Sequence, residues 1–153
     1  MTDDPDTLGR IVTLLDAAGI PYMVTGSVAS SHHGLPRMTH DADVVVDLEI
    51  GSLERLLAAS TSKPVLLFKH SYSCGVSAEA LDELIAHLDQ EAADVTYAMV
   101  TVQTHREVSN AVAKQLGIRH ETPQAILVRD GRVVWSASHF RVNAASLGKA
   151  LRP

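Results

Sequence analysis

Three places in the sequence hold residue types that do chemistry. The first is Cys74, the only cysteine of the chain, in the stretch LLFKHSYSCGVSAEALDELIAHL, residues 66–88. An apolar run ends there and a helix-like pattern begins. A thiolate at such a junction is a nucleophile toward disulfides. Ser77 stands where a second cysteine would complete a C-x-x-C pair, so Cys74 has no internal resolving partner. The second place is Thr122-Pro123, just before the apolar run AILV. X–Pro bonds are the only peptide bonds for which the cis form is cheap. The third is Asp41 and Asp43, with Gly26-Ser27 upstream. Two carboxylates at that spacing can hold Mg2+, and a Gly-Ser turn can hold nucleotide phosphates.

These residues need elements to position them. Leu8, Ile11, Val12 and Leu15 recur at helical spacing and Gly19 follows, which predicts a helix over about 6–18. IPYMVTGS and HDADVVVDLEI read as strands, and SLERLLAAS as a short helix. From there the expected order is strand 64–69, helix 75–90, strand 94–102, helix 105–116, strand 125–129, strand 132–137 and helix 143–151. The RDGR turn at 129–132 is a hairpin signal. Strands alternating with helices imply parallel pairing through βαβ crossovers, and the hairpin adds antiparallel strands. The fold class expected is α/β of the thioredoxin-like kind, a central mixed sheet flanked by helices, with a small N-terminal α/β appendage.

Cys74 would then sit where the first-turn N–H groups of a helix lack partners within that helix. Those groups and the helix dipole favour an anion by about 0.3–1 kcal/mol, and up to ~2 in favourable sites. The alternative is a small buried core thiol, the commoner role of a single intracellular cysteine. A thioredoxin-fold interaction module without redox turnover is the matching alternative for the whole domain. Thr122-Pro123 weighs toward the reactive reading, because a proline loop facing the cysteine is what a thioredoxin fold places there.

Bulk composition excludes several classes. The 153 residues are 46% apolar and 20% charged, a globular balance. No apolar run reaches the roughly 18 residues of a membrane helix. The acidic start MTDDPDTLGR lacks the basic and apolar parts of a secretory leader. A single cysteine gives no internal disulfide, which favours the cytoplasm. The 8 histidines are scattered without zinc spacing, so no metal is expected in the redox part. Residues 1–50 carry eight acids against two bases, whereas the remainder is nearly balanced. That asymmetry suggests two pieces, and neither has the basic excess that nucleic-acid binding needs.

Residues from about 50 to 152 resemble the monothiol bacilliredoxin family of the bacillithiol system. The resemblance rests on KPVLLFKHSYSCGVSAEA, on VTVQTHREVSNAVAKQLGIRHETPQAILVRDGRVVWSASHFRV and on the closing helix. It implies a thioredoxin-like domain over 50–153 that removes bacillithiol from S-thiolated client proteins. Bacillithiol or another low-molecular-weight thiol is then a co-substrate, with no bound cofactor. The family's T-C-P-I-S motif falls on Ser73, Cys74, Gly75, Val76 and Ser77, which makes Cys74 the nucleophile. Ser73, Gly75, Ser77, Thr122 and Pro123 are the expected substrate-contacting residues. Gly75 stands where the motif has proline. His70 could stabilise a thiolate, though a surface histidine is the plainer reading. For His120, His139 and Trp135 packing is the default. Lys69 and Arg141 could meet carboxylates of bacillithiol, with solvated charge as the plainer expectation.

Residues 1–49 resemble the start of a minimal nucleotidyltransferase, on Gly26-Ser27 and Asp41-Ala42-Asp43. That family needs a third carboxylate and more sheet than this segment offers. A truncated segment is therefore expected, with Mg-dependent nucleotidyl transfer as an alternative function.

Overall fold

The computed structural model describes residues 22–26, 42–47, 50–90 and 95–152. The helix expected over 6–18 and the residues Ser27 and Asp41 lie outside them. The described strands and helices run β1 Tyr22–Gly26, β2 Ala42–Asp47, α1 Ile50–Ala59, β3 Val65–His70, α2 Gly75–Gln90, β4 Thr96–Thr101, α3 Arg106–Leu116, β5 Gln124–Arg129, β6 Arg132–Ser138 and α4 Ala144–Leu151. A short 3-10 turn, His139–Arg141, precedes α4. From α1 onward every expected element is present, with ends shifted by a residue or two.

The strands form one mixed sheet in the order β1-β2-β4-β3-β5-β6. β3 and β4 are parallel, joined through α2 as a βαβ unit. β5 is antiparallel to β3, and β6 to β5. β2 continues the sheet by pairing parallel with β4 at Val46 and Asp47, and β1 pairs antiparallel with β2. The boundary expected at residues 49/50 thus falls between β2 and α1, while the sheet itself runs across it.

β3 explains why the sheet must be covered on both faces. Val65, Leu66, Leu67 and Phe68 are all buried, although a strand turns successive side chains to opposite faces. Val65 and Leu67 pack with Leu53, Val108, Val112, Ile126 and Val128, beneath α1 and α3. Leu66 and Phe68 pack with Ala80, Leu84, Ala125, Leu127 and Leu147, beneath α2 and α4. Continuous apolar runs are what strands buried on two sides require.

The β5–β6 hairpin turns at Asp130 and Gly131, with φ of 50° and 69°. Positive φ at both central residues matches the twist of the flanking strands, and Gly131 adopts it without steric cost. The tip is tied to the end of α1: Asp130 N–H donates to the Ser60 carbonyl at 3.0 Å and Gly131 N–H to Ser60 Oγ at 2.8 Å. At the other end of the hairpin, Asn143 caps α4 with a reciprocal Ser146 contact, the capping-box pattern.

Candidate active site

Register brings the sequence-predicted residues to one end of the sheet. Lys69, near the end of β3, pairs with Gln124, the first residue of β5. The chain therefore leaves β3 toward Cys74 beside the place where Thr122-Pro123 enters β5. The Thr122-Pro123 bond is cis, as the sequence predicts. Pro123 is buried and its carbonyl accepts from His139 N–H at 3.0 Å. Glu121, just before it, lies below the usual carboxylate range, chiefly because its side chain hydrogen-bonds Ser138. The loop is thus fastened to the end of β6 through the Pro123 carbonyl.

Cys74 is half-buried and stands immediately ahead of α2. Its N–H donates to the Ser71 carbonyl at 3.3 Å. Its own carbonyl accepts from Ser77 and Ala78 N–H at 3.0 and 3.1 Å, the first bonds of the helix. Cys74 is therefore the N-cap residue and Gly75 the first residue within the helix. At that position an N–H has no intrahelical acceptor in any case. A Cβ built on Gly75 meets nothing within 4 Å. Gly75→Pro is expected to keep thiol-exchange activity and to add about 0.4–1 kcal/mol of stability by restricting the unfolded chain. Urea unfolding of the two proteins checks it.

Ser77 has a role the sequence did not show. It is fully buried, and its Oγ accepts from the Ser71 N–H at 3.0 Å. The hydroxyl closes the loop between β3 and α2. Ser77→Ala is expected to cost about 1–2 kcal/mol in chemical denaturation, because it strands a part-buried N–H. Loss of exchange activity without loss of stability would mean that the hydroxyl acts on the sulfur instead.

Gln103, in the loop after β4, was not singled out from sequence. Its Nε2 donates to Ser73 Oγ at 2.9 Å and to Ser71 Oγ, pinning the cysteine loop to the neighbouring crossover. Ser71 and Ser73 also touch each other, at 3.3 Å. No local pattern marks such a residue. It is found only through the parallel register of β3 and β4, which ends at His70 opposite Thr101.

Lys69 corrects the expectation of a solvated charge. It is 0% exposed. Strand alternation puts it with Val65 and Leu67 on the α3 side, where Nζ donates to the Ser109 carbonyl at 3.0 Å and meets His120 Nδ1 at 3.3 Å. Burial lowers its pKa from 10.5 to about 8. His120 is pushed down too, by desolvation first and then by the positive charges of Lys69 and Arg106. An ammonium can only donate, so the ring is neutral and accepts at Nδ1. Its Nε2 lies 3.5 Å from Thr122 Oγ1. His120 is thus a contact of the proline loop and not a core residue. His70 is half-buried and stacks on Phe68, with ring centroids 6.1 Å apart. Trp135 packs on the α2–α4 core, as expected. Arg141 is exposed.

Gly26 and Asp43 lie on the β1–β2 pair, Gly26 opposite Ala42 and Asp43 opposite Thr25. Their partners Ser27 and Asp41 lie outside the described residues, as does the expectation that the two aspartates share a strand face. Among the described residues no three His, Cys, Asp or Glu side chains form a metal-holding group. No helix there is long and apolar enough to cross a membrane.

Comparison with known proteins agrees with this geometry. A solved structure described as having a thioredoxin fold is 31% identical, with a TM-score of 0.63 over 71% of this chain and 94% of that one. Schistosoma mansoni thioredoxin is 18% identical, with a TM-score of 0.56 over 70% of this chain and 92% of its own. Malassezia sympodialis thioredoxin is 17% identical, with a TM-score of 0.55 over 70% and 85%. The latter two bear on fold alone. The family model for the monothiol bacilliredoxin BrxC matches residues 48–147. With a thioredoxin fold, one cysteine ahead of α2 and a family match over most of its length, the chain belongs to the monothiol bacilliredoxins, thiol oxidoreductases of the thioredoxin-like kind.

Proposed function

We propose that the protein removes bacillithiol, or a similar low-molecular-weight thiol, from mixed disulfides on client proteins. The observation that carries this reading is the half-buried Cys74 as N-cap of α2, at the sheet end that holds Thr122-Pro123. The Cys74 thiolate attacks the sulfur of the small thiol in the mixed disulfide. A new S–S bond forms to Cys74, the old one breaks, and the client leaves as a thiolate that takes a proton from solvent. Cys74 stands at the N-terminal end of α2, the end of a helix dipole that suits negative charge. Ser73 and Gly75 flank the sulfur in sequence, and Thr122-Pro123 enters β5 at the same end of the sheet, where it would meet the incoming disulfide. No second cysteine is present to attack the adduct. A second molecule of small thiol must therefore release it, forming a small-molecule disulfide that a separate reductase recycles. Such chemistry belongs to a reducing compartment such as the cytoplasm.

Incubation with a bacillithiolated client tests this. The expected product is the released client and a chain heavier by one bacillithiol, located on Cys74, which persists until free thiol is added. Catalytic turnover with no added thiol or reductase would contradict the mechanism.

A further inference from the structure

Beside the cysteine lies a groove of about 210 Å3 between the first turns of α2 and the segment that links β6 to α4. Its lining includes Val76, two residues past Cys74 in sequence, and His139, whose N–H is bonded to the Pro123 carbonyl. Those two residues connect the groove to the two segments of the proposed reaction site. Its floor is apolar, from Val76, Ala80 and Val142. Its rim carries Phe140, 73% exposed, and the carboxylates of Glu79 and Glu83, both exposed. One oxygen of Glu83 accepts from Ala144 N–H at 2.7 Å and fixes that carboxylate at the mouth. Glu79, one helical turn closer to Cys74, has no such duty.

Apolar floor, exposed ring and paired carboxylates ask for one kind of occupant. A long aliphatic stem that ends in a cation covers the floor with methylenes, lays its charge near the ring face and meets the acids at the rim. An acidic group is repelled by both carboxylates, and a purely apolar one leaves them unanswered. We infer that this groove receives a lysine or arginine side chain of the client polypeptide, close in sequence to its thiolated cysteine. The inference rests on the reading that clients are proteins, and it adds a preference among them: thiolated cysteines with a basic neighbour are served first. Charge at the rim sets encounter rate and orientation more than final affinity, which suits a partner that must leave after exchange.

The test removes thiol chemistry, so that its failure is separate from failure of the redox reading. Short peptides with a central serine in place of the cysteine carry one lysine at successive positions, and a matching set carries glutamate. Binding to the full chain bearing Cys74→Ser is followed by fluorescence anisotropy. At least one lysine position is expected to bind about tenfold tighter than its glutamate counterpart, more so at low salt. Glu79→Lys is expected to abolish the preference, and Phe140→Ala to weaken the lysine peptide about threefold. Both residues are exposed, so neither change threatens the fold. Equal binding of the two sets, or a lysine preference that survives Glu79→Lys, would overturn the inference.

Discussion

Cys74→Ser is expected to lower release of bacillithiol from a thiolated client by at least about a thousandfold, because a hydroxyl at neutral pH offers almost no anion to attack sulfur. The side chain is nearly isosteric and the residue only half-buried, so α2 and its capping bonds should persist. Far-UV circular dichroism and the urea midpoint are expected to match the parent. Rates are best followed by the mass of the client, which reads release directly. Turnover within about tenfold of the parent would move the chemistry away from residue 74.

Stability is expected to rise between about pH 8 and 10.5, by an amount approaching about 3 kcal/mol, through Lys69 alone. Burial lowers the folded-state pKa, so the folded state resists carrying this charge. Below pH 8 both states are protonated and the penalty is present in full. Above it the folded protein releases the proton while the unfolded chain still holds one. The unfolded state then binds more protons, and stability climbs with pH until the unfolded lysine also titrates. Other groups titrate in the same range, so the readout is the difference from Lys69→Met, whose curve should lack this rise. Parallel curves for the two proteins would mean that water or an anion reaches the ammonium.

Local pattern made most of the fold legible. The apolar run at 64–69, the helix-like spacing after Cys74 and the RDGR turn each declare an element without help from distant residues. Thr122-Pro123 was legible only together with Cys74 and the order of elements, because a proline entering a strand is by itself an ordinary strand start. What the sequence hid is what depends on pairing across the sheet. Gln103 reaches Ser71 and Ser73 from some thirty residues away. Ser77 resembles a vestige of a lost cysteine until its hydroxyl is seen on the Ser71 N–H. The solvated charge expected of Lys69 would suit a strand with one face open to water. Once β3 is central, with helices on both faces, a lysine in phase with Val65 and Leu67 has nowhere to go but inward. His120 follows from Lys69, because a buried ammonium draws the nearest acceptors toward it.

The tie between the hairpin tip and Ser60 has a practical side. A tight two-residue turn is a usual address for an inserted epitope or reporter, since little is lost there. Here an insertion between Asp130 and Gly131 would pull both backbone donors off Ser60, a residue only 3% exposed, and leave its hydroxyl and carbonyl to find other partners. It would also loosen the end of α1 from the sheet it covers. The exposed stretch Thr61–Lys63 just beyond offers a gentler graft point for a label. It stands before β3 begins, at the opposite end of that strand from Cys74, so the label would leave the thiol unobstructed.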